Sequence, residues 1–401
     1  MSNTLLERSV RLAPDVSPPR PARRLMLLLT NLSLDGGAEV QAVQLALRLQ
    51  ARGWDVSVTS LLPPGDVRPL REAGIPVDTV HMRKRFSDLK ALGDLIHLIR
   101  RRDPHVVHCH MTHAILAARL ARLAVKIPAV VGTLHGLMIY SVAGRSQRWL
   151  TLAHRLTDRL SEVTTAVCTE AAEVYRREKT VSPARLRFIP NGIDTQRFII
   201  DPDRRRTMRA ALDLGGEFTW IMVGRFQPVK DHCTALHAFA AYLRQHPDSR
   251  LLLAGTGPLD TELKNLTRSL GLDSKVRFLG VRADIEELLN ASDALLLTST
   301  LEALPMVLLE AGSSGLPCVA TRVGGNVDAI VDGVTGRLAP VGDAQALSEA
   351  MAEIASLSRP ERELMGLAAR EHIVRNFEFE AVIDQWEALY EELLAGKEVR
   401  P

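Results

Sequence analysis

The stretch 25–51, LMLLLTNLSLDGGAEVQAVQLALRLQA, decides the fold. The run Leu25–Thr30 is apolar at nearly every position, as in a strand covered on both faces. A loop then reaches Gly36 and Gly37, and apolar residues recur at helical spacing from Ala38 to Ala51. A fully buried strand followed by an amphipathic helix is the repeating unit of a parallel α/β sheet.

The pattern continues outward. Candidate strands Val56–Ser60, Val106–Cys109, Ala129–Thr133 and Val163–Cys168 alternate with helical segments such as Asp88–Arg101. The turn-rich segment LRFIPNGID at 186–194 closes this series. A second series runs through Thr219–Val223, Arg250–Ala254, Val276–Leu279, Ala294–Leu297 and Cys318–Thr321, with helices at Thr234–Gln245 and Met306–Ser314. The polar stretch between them, DPDRRRTMRAALDLGG, starts at Asp201 and places the joint near 192–205. The expected organisation is a disordered basic tail at 1–24 and an N-terminal Rossmann-like α/β domain at 25–195. A C-terminal Rossmann-like domain at 196–377 follows, then an amphipathic helix at 378–401 returning toward the first domain. Open α/β sheets bind ligands beyond the carboxyl ends of their strands, so two facing sheets put the ligand in the cleft between them.

At 299–311, STLEALPMVLLEA, Pro305 occupies a favoured helix-starting position and leaves the N–H groups of Met306 and Val307 at a positive helix end. Glu302 precedes that end and Glu310 lies one turn beyond Met306. Carboxylates so placed accept hydrogen bonds from sugar or ribose hydroxyls. At 223–230, VGRFQPVK, Arg225 and Lys230 emerge from a strand end, where two cations neutralise a diphosphate. Gly36 and Gly37 permit close approach of a phosphate or sugar, although an ordinary turn uses glycines equally. Gly257 and Arg282 follow other strand ends and are candidates for contacts to a nucleobase or phosphate; so is Asn191 of the IPNGID turn.

His108 and His110 share one strand face, His113 follows, and His135 lies in TLHG. Their spacing matches no strong zinc pattern, and a satisfied structural histidine is the competing reading for His108. The pair Asp201 and Asp203 reads as a feature of the interdomain stretch. Cys109, Cys168, Cys233 and Cys318 stand far apart, which indicates neither a disulfide framework nor a zinc knuckle and fits a reducing compartment.

In order and spacing, GGAE at 36–39, TLHG at 133–136, IPNGID at 189–194, GRF…K at 224–230, LLLAGTGPL at 251–259, VRFLG at 276–280 and Glu302 with Glu310 resemble the family 4 retaining glycosyltransferases of GT-B fold. The resemblance covers nearly all of the chain from residue 25. It implies two Rossmann-like domains facing each other across a cleft, with a nucleotide-sugar held mainly by the second. Arg225 and Lys230 would hold the diphosphate, Glu310 the ribose and Glu302 the transferred sugar. Leu304, Met306 and Val307 would support sugar and phosphate through their backbone. Gly37 would approach from the first domain, and His135 would sit near the reacting face. Such enzymes retain configuration and need neither metal nor cofactor. Ala303 stands where the family often has Gly, and Val40 where it often has a basic residue.

The implied activity is transfer of a sugar to a glycan or lipid-linked acceptor in polysaccharide, glycolipid or lipopolysaccharide biosynthesis. A non-catalytic nucleotide-sugar-binding protein and a nucleotide-sugar epimerase are the alternatives. Nucleic acid is not an expected partner: 50 Lys and Arg against 47 Asp and Glu leave a net charge of +3. That sum conceals a split, because residues 25–200 carry 24 basic and 15 acidic groups while 201–401 carry 21 and 30. The segment 81–102 concentrates Arg83, Lys84, Arg85, Lys90 and Arg100–Arg102 beside an apolar stripe of Leu89, Leu92, Leu95, Ile96 and Ile99. Its two readings are a contact with an anionic membrane or lipid diphosphate, and a core-facing helix with a solvated basic side. No run approaches the roughly 20 apolar residues of a membrane span, so the expected location is the cytoplasm, with peripheral contact at the inner face of the membrane.

Overall fold

The computed structural model describes residues 23–33, 36–82, 88–136 and 145–398. The tail 1–22, Asp35, the cations Arg83, Lys84 and Arg85, and the loop 137–144 lie outside the described residues.

The first sheet contains β1 (Arg24–Leu29), β2 (Asp55–Ser60), β3 (Val77–Thr79), β4 (Val106–His110), β5 (Ala129–Leu134), β6 (Val163–Ala166) and β7 (Leu186–Phe188). Its strands are all parallel, in the order β3-β2-β1-β4-β5-β6-β7. The second sheet contains β8 (Phe218–Val223), β9 (Ser249–Ala254), β10 (Val276–Gly280), β11 (Ala294–Leu297), β12 (Cys318–Thr321) and β13 (Gly336–Ala339). It is again parallel, in the order β10-β9-β8-β11-β12-β13. The winding reverses between β1 and β4 in one sheet and between β8 and β11 in the other. Crevices open beyond the strand ends at such reversals.

Each continuous apolar run is explained by two covered faces. In β1, Met26 and Leu28 join the core under helices Leu89–Arg102 and Thr112–Ala121, while Leu25, Leu27 and Leu29 face a separate core on the other side. That second core is completed by Gly37–Ala51 and by the chain's last helix, Phe379–Glu398, through Phe379, Val382, Ile383, Trp386, Leu389, Tyr390 and Leu394. The covering layer of the first domain thus comes from a segment almost 200 residues after that domain ends.

The chain crosses between domains twice, and the crossings run side by side. Ile193 and Glu378 form a parallel bridge, with Ile193 N donating to Phe377 O at 2.8 Å and Phe379 N to Ile193 O at 3.0 Å. Gln41 clamps the first crossing, its Nε2 donating to Gly192 O at 2.8 Å and its Oε1 accepting from Gly192 N at 2.9 Å. A Cβ on Gly192 would stand 2.9 Å from the Phe379 ring, so the crossing packs only without a side chain there.

Two expectations change. The polar stretch after Asp201 belongs to the second domain as helix Pro202–Ala211, whose Arg205 and Arg209 pair with Asp293; the joint is shorter than 192–205. Asp201 caps this helix by accepting from the N–H groups of Asp203 and Arg204, so the Asp201/Asp203 pair is a helix cap. The stripe of Leu89–Arg102 packs inward: Leu95 and Ile99 are buried, Leu92 and Ile96 lie against the core, and only Leu89 stands out in solvent. Arg101 and Arg102 meet Asp78, and Arg100 donates to Ala124 O. The membrane reading of that stripe therefore fails, because burying it against the sheet satisfies the same amphipathic pattern.

Truncating Trp386, the 5% exposed residue that seats the last helix on the first sheet, is expected to cost about 3–5 kcal/mol. In urea unfolding, Trp386→Ala should therefore show an earlier transition of the first domain, whereas an unchanged transition would mean that the helix contributes little.

Candidate functional site

Both reversals open onto one cleft, and each presents a helix N-terminus to it. Gly36 leads helix Gly37–Ala51 without a side-chain cap, and Pro305 leads Met306–Ser313 likewise. The two ends meet: Gln41 Nε2 lies 3.4 Å from Met306 Sδ, and a Cβ on Gly37 would stand 3.6 Å from Met306 Cγ. Two positive helix ends from two domains thereby converge on one point, neither capped by the side chain of its N-cap residue.

Glu302 lies just outside that point. Its Oε1 accepts from Lys230 Nζ at 2.5 Å and from Ser299 Oγ at 2.6 Å. Lys230 is positioned by the short 3-10 turn Pro228–Lys230; Thr298 Oγ1 holds that turn by donating to Lys230 O at 3.1 Å and Asp231 O at 2.8 Å. Arg225 is exposed, and its guanidinium has no hydrogen-bond or ion-pair partner among the described residues. After β8, therefore, the charge of Lys230 is balanced by Glu302, whereas Arg225 stands unpaired among the described residues.

Glu310 retains a partly exposed edge, but burial pushes its carboxyl up to about 7. Arg197 opposes that shift and Glu286 adds to it. The Glu310 side chain has no hydrogen-bond partner among the described residues, since Arg197 is already paired with Glu286. A carboxylate with four open lone-pair directions beside a cleft suits a vicinal pair of hydroxyls. The side chains of Leu304 and Val307 are buried in the core, so these two offer the cleft only backbone.

On the first domain, His135 Nε2 lies 2.8 Å from His110 Nδ1. His135 Nδ1 and His110 Nε2 are buried without hydrogen-bond partners among the described residues. Burial lowers His135 to about 4 and holds both rings neutral near pH 7. His108 is the structural histidine of the set, bonded at 2.6 Å to both Tyr390 Oη and Thr133 Oγ1. Among the described residues no group of three or more His, Cys, Asp or Glu side chains is arranged so that it could hold a metal ion.

Of the other candidates, Asn191 lies beside His135, whereas Gly257 and Arg282 are engaged in contacts of their own. Asn191 is buried in a small cavity shared with His135, Gln41 and Trp386. Gly257 is pressed against the protein's own backbone: a Cβ there would stand 2.4 Å from Phe226 O. Its glycine therefore serves packing of the turn. Arg282 is held by Asp284, with Nε donating to Oδ1 at 2.7 Å, which turns the guanidinium into a local ion pair.

The sequence reading missed several parts of the site. Gly324 and Gly325 lie directly beneath the Glu302 loop, where Cβ atoms would meet Glu302 O at 1.6 Å and Ala303 O at 2.1 Å. Gly324 N also donates to Glu170 Oε2, and Thr169 N donates to Asp328 Oδ2 at 2.8 Å, bridging the domains on the far side of the cleft. A glycine pair after strand Cys318–Thr321 was the available signal. Gln41 and Ser299 carried none, because their partners are distant in sequence or a turn away.

With this geometry in place, comparison with known proteins is direct. Residues 35–197 match the family described as Glycosyltransferase Family 4, and residues 204–372 match Glycosyl transferases group 1. The chain is 30% identical over 367 residues to N-acetyl-alpha-D-glucosaminyl L-malate synthase of Bacillus anthracis, covering 90% of this chain and 94% of that one. It is 29% identical over 324 residues to the UDP-Gal:alpha-D-GlcNAc-diphosphoundecaprenol alpha-1,3-galactosyltransferase of Escherichia coli, covering 78% and 81%. The crystal structure of Anabaena HepE in complex with UDP superposes with a TM-score of 0.82 at 22% identity, over 92% of this chain and all of that one.

The raised Glu310 pKa has a consequence for stability. Its folded value of about 7 exceeds the ordinary 4.5, so the folded state binds the extra proton between those values and stability falls as pH rises through that window. Glu310→Gln should remove this dependence, narrowing the stability difference between pH 5 and pH 8 by about 1–3 kcal/mol in denaturant titrations; identical pH profiles would show that the carboxyl is not perturbed. With the site and both halves of the chain accounted for, the protein belongs to the family 4 glycosyltransferases of GT-B fold.

Proposed function

We propose that this glycosyltransferase moves a sugar from a nucleotide-diphosphate sugar to a glycan or lipid-linked acceptor, with retention of configuration and without a metal. The observation that carries the reading is the convergence of the two uncapped helix ends at Gly37 and Met306, flanked by Arg225 and Lys230. A departing diphosphate carries the charge that this arrangement neutralises, and the arrangement contains its own positive charge.

In the proposed complex the diphosphate lies between the helix ends and draws Lys230 away from Glu302. Glu302 is then free to accept hydrogen bonds from sugar hydroxyls. Glu310 takes the ribose hydroxyls as a carboxylate. His135, neutral, lies near the reacting carbon of the sugar, while His110 fixes its ring through Nε2. The leaving oxygen and the incoming hydroxyl share one face of the sugar, which is the geometry of front-side transfer with retention. Closure of both domains on the donor excludes water, the competing acceptor. The E. coli relative uses UDP-Gal and HepE was solved with UDP, so UDP-sugars are the first donors to test. A sugar-diphosphate lipid acceptor, of the class used by that relative, is the first acceptor.

Glu310→Ala and Lys230→Ala should each weaken donor binding by about 10-fold or more, measured by calorimetry with a UDP-sugar. His135→Ala should keep donor affinity and lower turnover by about 100-fold. NMR of the first-formed product should show the donor's anomeric configuration, and activity should survive EDTA. An inverted product or loss of activity in EDTA would remove the corresponding part of the proposal; wild-type behaviour of all three variants would remove the site.

Donor binding should also strengthen as pH rises through about 7, because ribose hydroxyls favour ionised Glu310. Glu310→Gln should flatten that profile, and equal affinity of the wild type at pH 6 and pH 8 would contradict the ribose assignment.

A further inference from the structure

The loop that carries Glu302 is fixed through its main chain. Gly325 N donates to Ala303 O at 2.5 Å, Thr300 N donates to Val229 O at 2.9 Å, and Gly324 leaves no room for a side chain against Glu302 O. The carboxylate therefore starts from a fixed backbone, and its direction is decided by what its oxygens meet. The side chain is only 11% exposed, so water reaches little of it.

Among the described residues two groups meet that carboxylate, and both meet the same oxygen. Lys230 Nζ and Ser299 Oγ donate to Oε1 at 2.5 and 2.6 Å, whereas Oε2 has no hydrogen-bond partner among the described residues. The two donors differ in permanence. Lys230 is 23% exposed and stands on a 3-10 turn at the cleft, where a diphosphate competes for its ammonium group. Ser299 is fully buried just past the end of β11, and Thr321 Oγ1 donates to its carbonyl at 2.5 Å.

When Lys230 turns to phosphate, Glu302 loses its one ion-pair partner among the described residues. A carboxylate so poorly exposed is costly to leave without a donor. The bond from Ser299 is already formed, and a hydrogen bond to a charged group is stronger than one between neutral groups. It also occupies Oε1, which leaves Oε2 as the oxygen open to a sugar hydroxyl. The neighbouring Thr298 holds the Lys230 turn instead, by donating to Lys230 O and Asp231 O. Consecutive residues past one strand end thus support the two partners separately, and the ion pair can open without either partner losing its support.

We infer that Ser299 is the positioning residue that keeps Glu302 aimed at the donor sugar once the diphosphate has taken Lys230. The inference rests on the glycosyl-transfer reading above, in which Glu302 accepts from the sugar, and adds to it what holds that acceptor in place. Ser299 is buried beneath the carboxylate's Oε1 and acts only through it. Its effect therefore falls on the sugar half of the donor and spares the nucleotide half.

Calorimetry on the full chain tests this. The probes are UDP-glucose, UDP-galactose, GDP-mannose and ADP-glucose, each measured beside its free nucleoside diphosphate. For the nucleotide-sugar that the wild type binds best, Ser299→Ala should weaken binding by about 10-fold. Affinity for the matching nucleoside diphosphate and the melting temperature of the free protein should stay at the wild-type values. Ser299→Cys, which keeps the side-chain size but offers only a weak donor, should behave like Ser299→Ala. In a Glu302→Ala background, Ser299→Ala should change nucleotide-sugar affinity by less than about 2-fold, because the group through which it acts is gone. Equal weakening of nucleotide-sugar and nucleoside diphosphate would overturn the inference. So would an undiminished effect in the Glu302→Ala background, since Ser299 would then support the fold of the site in general. If Glu302→Ala weakens the nucleotide-sugar while both Ser299 variants bind it like the wild type, the role of Ser299 falls and the donor reading stands. A silent Glu302→Ala, or a wild type that binds none of the four probes, would remove the donor reading and this inference together.

Discussion

The double crossing at Ile193 and Glu378 is the constraint on which the rest depends. Two backbone hydrogen bonds and the Gln41 clamp hold the crossing strands together. The crossing sets how far apart the two sheets stand, and so how close the helix ends at Gly37 and Met306 come. Arg48 reinforces the same corner by pairing with Asp194 and Glu380 from the two crossings, while its guanidinium lies 4.4 Å from the Phe379 ring centre. Such partly exposed pairs contribute little individually. Their effect here is on position, since they join helix Gly37–Ala51 to both chain crossings.

The second consequence concerns charge. The second domain is acidic overall, yet its cleft is where anionic phosphate would be held. The conflict is resolved locally. Lys230 is at the cleft with its charge balanced by Glu302, Arg225 stands free, and the helix ends supply partial charge that no count of side chains includes. The acids of this domain are largely spent on its own arginines, as in the Arg205 and Arg209 pairs with Asp293 and the Arg250 pair with Glu217. In the first domain the balance is different: basic groups outnumber acidic ones, and Lys126 and Arg159 stand exposed without an ion-pair partner among the described residues.

Much of the fold was legible because buried parallel strands leave continuous apolar runs. Leu25–Thr30 and Ala294–Leu297 announce themselves with no tertiary information. The helix at 306 was legible from Pro305 for an equally local reason. Amphipathic helices were harder to place. The pattern at 89–102 says that one side is apolar, but a sheet and a membrane satisfy that pattern equally, and only the packing shows that the sheet takes it. Helix Arg145–Thr157 carries the opposite lesson: Trp149, Leu152 and Leu156 read as core residues by type, and their exposure is visible only once His154 and Arg119 are seen to occupy the inner side.

The sequence by itself determined the two α/β domains, the family they belong to and the set of residues around Glu302 and Glu310. These follow from local periodicity, helix-start chemistry and the order of short motifs. Tertiary structure alone decided which polar groups are partnered: Glu302 with Lys230, Arg282 with Asp284, His135 with His110, and Glu310 with none among the described residues. It also decided that Gly257 serves packing and that Gly324 and Gly325 carry the Glu302 loop. The physical reason is the same in each case. Hydrogen bonds, ion pairs and close backbone approaches depend on distances between segments far apart in the chain, and those distances are set by the two sheets and the crossing that joins them.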